Sequence, residues 1–236
     1  MNTNKRLALV ATYILVSIFS LIGVLFCSVQ PEKSFHFLNP SQFFGVLSIV
    51  VSLTNAFYLF FSKKEKVSLW ISHLSLGVIC FGILLLFLTF VLAFPVFDFS
   101  SSAWESFFTE DALYLSVFVP LLFLLAFVFT PQKTHNIFLF SIFGLSFVLL
   151  YAVVALIYFG TTKDLSSLLA PSQSILKPSF FDDSLLGVCY FFYLLVCLCF
   201  SYCVALLLAF LVSKLNSRNT KSIAKTNTFY SNSEDL

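Results

Sequence analysis

Long runs of apolar residues, separated by short polar segments, dominate the hydrophobic pattern of the chain. Each run has at least about 18 residues, enough for a helix rising about 1.5 Å per residue to cross a hydrocarbon core about 30 Å thick. The pattern therefore predicts an all-α polytopic membrane protein, a bundle of six transmembrane helices. The predicted spans are approximately 7–27, 42–62, 67–94, 112–130, 137–160 and 185–213.

The composition agrees with lipid as the main solvent of the chain. Hydrophobic residues make up 59% of the 236 residues and charged residues only 10%, whereas soluble domains carry about 25% charged residues. We therefore expect one membrane domain over residues 1–213. The segment 214–236 is rich in Ser, Thr, Asn and Lys, and we predict that it is a disordered, basic cytoplasmic tail.

The first apolar run is predicted to be a retained span. It has about 20 apolar residues, longer than the ~7–15 of a signal-peptide core. No small-x-small cleavage site follows it, and Phe26 stands before Cys27 where a lipoprotein signal has a small residue.

The basic residues predict that both termini are cytoplasmic. With the N-terminus inside, the outer loops hold only three of the 13 Lys and Arg residues, and cytoplasmic loops are the ones enriched in positive charge. We therefore expect a multi-pass protein of a bacterial plasma membrane with an N-in/C-in topology. The cytoplasmic set is Lys5, Arg6, Lys63, Lys64, Lys66, Lys133, Lys214, Arg218, Lys221 and Lys225. The outer set is Lys33, Lys163 and Lys177.

Several function classes are not signalled by this sequence. The six cysteines lie in or at the edge of apolar runs without a CxxC pair, so neither a disulfide framework nor a zinc site is expected. We see no nucleotide-binding loop, hydrolase elbow or metalloprotease motif. We therefore expect no cofactor, metal or nucleic-acid partner, and the lipid bilayer as the surrounding medium.

Neutral polar residues and one histidine are the candidates for intramembrane chemistry, because no Asp, Glu, Lys or Arg lies centrally in a span. Asn55 and His73 each lie about 7 residues from the inner turn that joins spans two and three, which places both roughly 10 Å deep. We predict an Asn55–His73 hydrogen bond, direct or through water, in a pocket between spans two to four. The alternative is that both residues only hold helices together, at ~0.6–2 kcal/mol each.

Ser116 is the third candidate ligand-binding residue. Pro120 has no N–H, so the Ser116 carbonyl loses its helical partner and the helix kinks. A freed carbonyl within the membrane needs a partner from another helix or from water, and a cavity could open there. A well-packed kink is the alternative.

Small residues follow one face of the last span at a spacing of four. Such a seam lets helix backbones approach closely, within one chain or between two copies in a homo-oligomer. We call this row the small-residue seam, and its members are Cys197, Ser201, Ala205 and Ala209.

Three short stretches carry a family resemblance: Ser-Leu-Thr-Asn at 52–55, Ser-Val-Phe-Val-Pro-Leu-Leu at 116–122 and Lys-Pro-Ser-Phe-Phe-Asp at 177–182. They resemble motifs of the six-span androgen-induced and androgen-dependent TFPI-regulating membrane proteins and their bacterial relatives. The resemblance implies an intramembrane hydrolase of lipid esters that uses a Thr in span two and a His in span four. At those positions this chain has Val51 and Ser116, which leaves catalysis open, with Thr54 and His73 as a substitute pair.

The leading functional hypothesis is binding of a small hydrophobic or lipid-like molecule between spans two to four, through Asn55, His73 and Ser116. One alternative is an intramembrane lipid-ester hydrolase, which a serine/threonine-directed fluorophosphonate would label in a Thr54-dependent way. The other is the membrane subunit of a transporter, which would purify with an ATPase.

Overall fold

The computed structural model describes residues 3–29, 40–62, 66–96, 114–132, 136–162 and 194–215, and all regular structure in these ranges is helical. Five helices are long and apolar enough to cross a membrane, and a shorter apolar helical segment covers Leu115–Phe129. The predicted all-α class is therefore confirmed for the described residues, which include five apolar helices of membrane-spanning length. The helices are α1 Thr3–Val29, α2 Pro40–Phe61, α3 Leu69–Val96, α4 Val119–Phe129, α5 Ile137–Ile142, α6 Ser146–Thr162 and α7 Leu194–Leu215.

The observed helix ends differ from the predicted ones by a few residues. Helix α1 begins at Thr3 rather than at 7, and α3 begins at Leu69 rather than at 67. Helix α7 continues to Leu215, so the prediction that the disordered tail starts at 214 is wrong for its first two residues. The remainder of the predicted tail, and the predicted span segments 112–113 and 185–193, lie outside the described residues.

The fourth apolar segment contains a wide turn at the place where the sequence predicts a kink. Residues Tyr114–Phe118 form a π-helical turn, and α4 follows with Pro120 in its first turn. Proline cannot donate to the carbonyl four residues before it, and its ring collides with that carbonyl. A π turn moves this carbonyl away from the ring, which explains why the regular helix starts only at Val119.

Helix α3 lies at the centre of the described bundle. It packs against α2, the π-helical turn, α4 and the fifth apolar segment, and the rings of Phe87 and Phe200 stack at 4.2 Å where it meets α7. In its apolar window 61% of residues are buried, against 33–50% in the other four candidate spans. An apolar helix with neighbours on several sides is the arrangement expected for its uniformly hydrophobic sequence.

Four helix ends lie together at one end of the bundle. The Arg6 guanidinium donates to the carbonyls of Leu59, Phe60 and Ser62, at the C-terminal end of α2. The Val67 N–H donates to the Pro131 carbonyl at 2.9 Å, joining the segment before α3 to the segment after α4. A cation at a helix C-terminus also interacts favourably with the helix dipole.

The small-residue seam of α7 packs inside the chain, which is the first of the two predicted alternatives. All four seam residues are buried. Ala205 lies against Gly144, which sits in a 3-10 turn, Phe143–Leu145, between α5 and α6. The exposed face of α7 instead carries large apolar side chains such as Leu207 and Phe210.

Candidate functional site

A row of polar side chains follows one buried face of α2. Ser48, Ser52 and Asn55 recur at spacings of four and three, which places them on the same side of the helix. Each has 0% of its surface exposed. The Ser48 hydroxyl lies 2.8 Å from that of Ser20 on α1, and the Asn55 amide donates to Ser75 on α3 at 2.8 Å. We call these three residues the α2 polar face, and it lies between α1 and α3.

The upper part of this face, at Ser48, is fully hydrogen-bonded. The Ser20 hydroxyl lies 2.7 Å from the Val16 carbonyl, and the Ser48 hydroxyl lies 2.9 Å from the Gly45 carbonyl. The Ser20 hydroxyl can therefore donate to the Val16 carbonyl while it accepts from Ser48, or the Ser48 hydroxyl can donate to the Gly45 carbonyl while it accepts from Ser20. Pairs of this kind hold membrane helices together at ~0.6–2 kcal/mol each.

The lower part of the face, at Ser52 and Asn55, keeps unused hydrogen-bonding capacity. The Asn55 Nδ2 donates to the Val51 carbonyl and to the Ser75 hydroxyl, both at 2.8 Å, but its Oδ1 has no partner. The Ser52 hydroxyl, one helical turn earlier, is also buried without a partner. A buried polar atom without a partner costs about 1–3 kcal/mol, and hydrocarbon offers no water to relieve it.

The structure places His73 on the side of α3 that faces the fifth apolar segment. Its ring stacks on that of Phe143 at 3.8 Å with an interplanar angle of 6°, and lies 5.3 Å from that of Phe140. The side chain that meets Asn55 is instead Ser75, about 200° further around the helix. The direct Asn55–His73 hydrogen bond is therefore wrong, because matching depths place two residues at one level without fixing the direction in which they point.

Thr54 does not lie beside His73 as a catalytic pair would require. Its side chain is exposed on α2, and its hydroxyl donates to the Val50 carbonyl at 2.8 Å. Val51, at the position of the family Thr, is buried and uses its carbonyl to accept from Asn55. The described contacts of the two candidate catalytic residues are therefore with different partners, Val50 for Thr54 and the rings of Phe140 and Phe143 for His73.

Ser116 lies in the π-helical turn, far from Asn55. It is buried, and its hydroxyl is 3.2 Å from that of Ser41 in the first turn of α2. Asn55 is about 14 residues further along α2, or roughly 21 Å. The predicted pocket therefore does not unite its three candidate residues: Asn55, His73 and Ser116 stand at three separate contacts.

Sequence reasoning missed Ser52 and Ser75 as members of the site. The signal for Ser52 was present in the spacing of Ser48, Ser52 and Ala56 along one face of α2. The direction of His73 was also indicated in the sequence, because Gly77 lies on the same face of α3. In the structure Gly77 lies close to the Phe143 carbonyl. Small residues at a helix interface mark the side on which the neighbouring backbone approaches.

Within the ranges that the structure describes, no three His, Cys, Asp or Glu side chains are arranged to hold a metal ion. The polar atoms of the site are neutral hydroxyl and amide groups. What the site can do with them is to donate and accept hydrogen bonds inside an apolar bundle.

No protein-family model matches this chain, and no curated protein or solved structure matches it either. The resemblance to the six-span family rests on the three short stretches alone. The site is interpreted from its own geometry.

Proposed function

We propose that this chain is a six-span protein of a bacterial plasma membrane with both termini in the cytoplasm. Lys5 and Arg6 open α1, Lys66 precedes α3, and Lys214 is next to the last residue of α7. The first two of these helix ends belong to the bundle end that Arg6 and Val67 hold together, so the basic residues there share one side. Positive charge favours the cytoplasmic side.

Reporter fusions test this topology. A fluorescent protein that matures only in the cytoplasm should fluoresce when joined to Leu236, and alkaline phosphatase at the same place should be inactive. Phosphatase inserted between residues 30 and 39, the predicted first outer loop, should be active. An active phosphatase at Leu236 would refute the N-in/C-in arrangement.

We further propose that the protein binds a small lipid-like molecule at the lower part of the α2 polar face. The observation that carries this proposal is the pair of unpartnered buried oxygens on Asn55 and Ser52. A bound polar group would supply the hydrogen bonds that the bundle lacks. Because the spans hold no central charge, a neutral ligand with an apolar body suits the site best.

The bound molecule should be detectable in the purified protein. Protein extracted in mild detergent and analysed by native mass spectrometry is expected to carry a lipid-like adduct. The double variant Ser52→Ala/Asn55→Leu should lose it. Ser116→Ala is the matched control, since it removes a buried hydroxyl roughly 21 Å away. An adduct retained by the double variant, or absent from the wild type, would contradict the proposal.

The hydrolase alternative needs an activated nucleophile beside a base. Thr54 hydrogen-bonds to the Val50 carbonyl and His73 stacks on Phe143, so neither described contact supports such a pair. The transporter alternative needs a partner ATPase. The contacts of the described residues are all within this chain and give no evidence about such a partner. Neither alternative gains a specific observation, so ligand binding is the function that we propose.

A further inference from the structure

The unpartnered atom of Asn55 can be identified as an acceptor rather than a donor. Its amide lies 2.8 Å from the Val51 carbonyl, which can only accept a hydrogen bond. The nitrogen must therefore be the atom that faces Val51, because an oxygen there would oppose another oxygen. Both N–H groups are then used, on Val51 and on Ser75. The atom left without a partner is the acceptor Oδ1.

Ser52 adds a group that can either donate or accept. Its hydroxyl is unpartnered and lies one turn before Asn55 on the same face. Side chains three residues apart on a helix have Cβ atoms about 5–6 Å apart. A single hydroxyl or amide group can therefore reach both side chains, donating to Asn55 and exchanging a second hydrogen bond with Ser52.

An acceptor-only group cannot satisfy this site. An ether, ester or ketone oxygen opposite the Asn55 Oδ1 would place two acceptors face to face. Ser52 could donate to such an oxygen, but the Asn55 Oδ1 would stay without a partner. Sites that hydrogen-bond a ligand hydroxyl discriminate strongly against analogues that lack it, because the buried polar groups are then unpaired.

We infer that the site selects neutral lipid-like molecules whose polar group donates a hydrogen bond, such as long-chain alcohols and N-acyl amides, over ethers and esters of equal size. This inference rests on the proposed function and names the ligand class of that same site. It excludes esters as the preferred ligand.

An isomeric pair of probes isolates the donor. Dodecan-1-ol and methyl undecyl ether have the same atoms and nearly the same length, but only the alcohol donates a hydrogen bond. A diazirine-bearing dodecan-1-ol is crosslinked to the full chain in phosphatidylcholine nanodiscs, and each unlabelled isomer competes with it. We expect the alcohol to compete at a concentration at least ~10-fold lower than the ether, as one unpaired buried acceptor implies.

Two variants connect the preference to these residues. Asn55→Leu should abolish the preference for the alcohol. This variant also loses the hydrogen bond to Ser75, so a second variant is needed. Ser52→Ala is the second variant, because its hydroxyl makes no hydrogen bond in the described structure and its loss should leave folding intact. Ser52→Ala is expected to weaken the binding of both isomers several-fold and to keep the preference, because the Ser52 hydroxyl can donate to the oxygen of either one.

The outcomes separate the inference from the proposed function. If both isomers compete equally with the crosslink while Asn55→Leu still removes it, the site binds lipid-like molecules without regard to donors, and the inference fails alone. If the wild type is not crosslinked, or if both variants are crosslinked as strongly as the wild type, the proposed function fails as well.

Discussion

Replacing Gly144 by alanine would test the close contact between the fifth apolar segment and α7. A Cβ at this position would lie 2.5 Å from the Cβ of Ala205 and 3.1 Å from the sulfur of Cys80. Ordinary carbon–carbon contacts lie at about 3.5–4.0 Å. Ala205 has no rotatable side chain with which to withdraw, so either α7 or the 3-10 turn must move by roughly 1 Å.

The expected cost of Gly144→Ala is about 1–3 kcal/mol, the range for overpacking a well-packed core. Ala205→Gly removes the opposing Cβ and should lose about 1 kcal/mol by itself through helix propensity. In the double variant the clash with Ala205 disappears and the 3.1 Å approach to Cys80 remains, so its stability should be close to that of Ala205→Gly alone. The coupling energy between the two sites should therefore be close to the full cost of Gly144→Ala.

Unfolding by SDS in mixed micelles, followed by far-ultraviolet circular dichroism, would measure these differences. Gly45→Ala is the matched control, because its new Cβ would meet only the tips of Val24 and Leu115. Those tips can rotate away, so this variant should change stability by less than about 1 kcal/mol. A Gly144→Ala protein as stable as the wild type, or no rescue by Ala205→Gly, would refute the described contact between these segments.

Four further substitutions test individual contacts and the hydrolase alternative. Arg6→Ala should destabilise the protein by about 1–3 kcal/mol in the same assay, because charge-assisted hydrogen bonds to the end of α2 are lost; a loss under 0.3 kcal/mol would contradict this. Tyr13→Phe should cost about 0.6 kcal/mol, since Thr130 donates to Ala126 and Tyr13 must be the donor in their 3.1 Å bond; Thr130→Val should cost more, because it leaves the buried Tyr13 hydroxyl without an acceptor. Fluorophosphonate labelling should be absent in both the wild type and Thr54→Ala, and Thr54-dependent labelling would revive the hydrolase alternative.

The helical spans were accessible from the sequence because lipid forces each crossing segment to satisfy its own backbone hydrogen bonds. An apolar run of sufficient length can then only be a helix, and its approximate limits follow from the run itself. The exact ends depend on caps and interfacial contacts. Lys214 illustrates this. Its charge suggests that it belongs to the tail, yet it lies in α7, where its ammonium group is 6.0 Å from the centre of the Phe210 ring.

The contacts of the candidate site were less accessible because a sequence gives depth more readily than direction. Counting residues from the inner turn places Asn55 and His73 at one level. Which way each points depends on the rotation of α2 and α3 about their axes, and this is set by the close approach at Gly77. That packing turns His73 toward Phe143 and brings Ser75 to Asn55 instead.

Two serines one turn apart on α2 allow packing and ligand binding to be separated. The Ser48 hydroxyl is paired with Ser20, whereas the Ser52 hydroxyl is equally buried and has no partner. Ser48→Ala should therefore lower the unfolding free energy by ~0.6–2 kcal/mol and leave the crosslink to dodecan-1-ol intact.

Ser52→Ala should do the reverse, since it removes an unsatisfied group from the core and one hydrogen-bonding atom from the site. Its stability in SDS should equal or exceed that of the wild type, and its crosslink to dodecan-1-ol should weaken. Loss of stability in Ser52→Ala to the same extent as in Ser48→Ala would show that the Ser52 hydroxyl has a partner within the bundle. The α2 polar face would then serve helix packing along its whole length, because both serine hydroxyls would hydrogen-bond within the bundle.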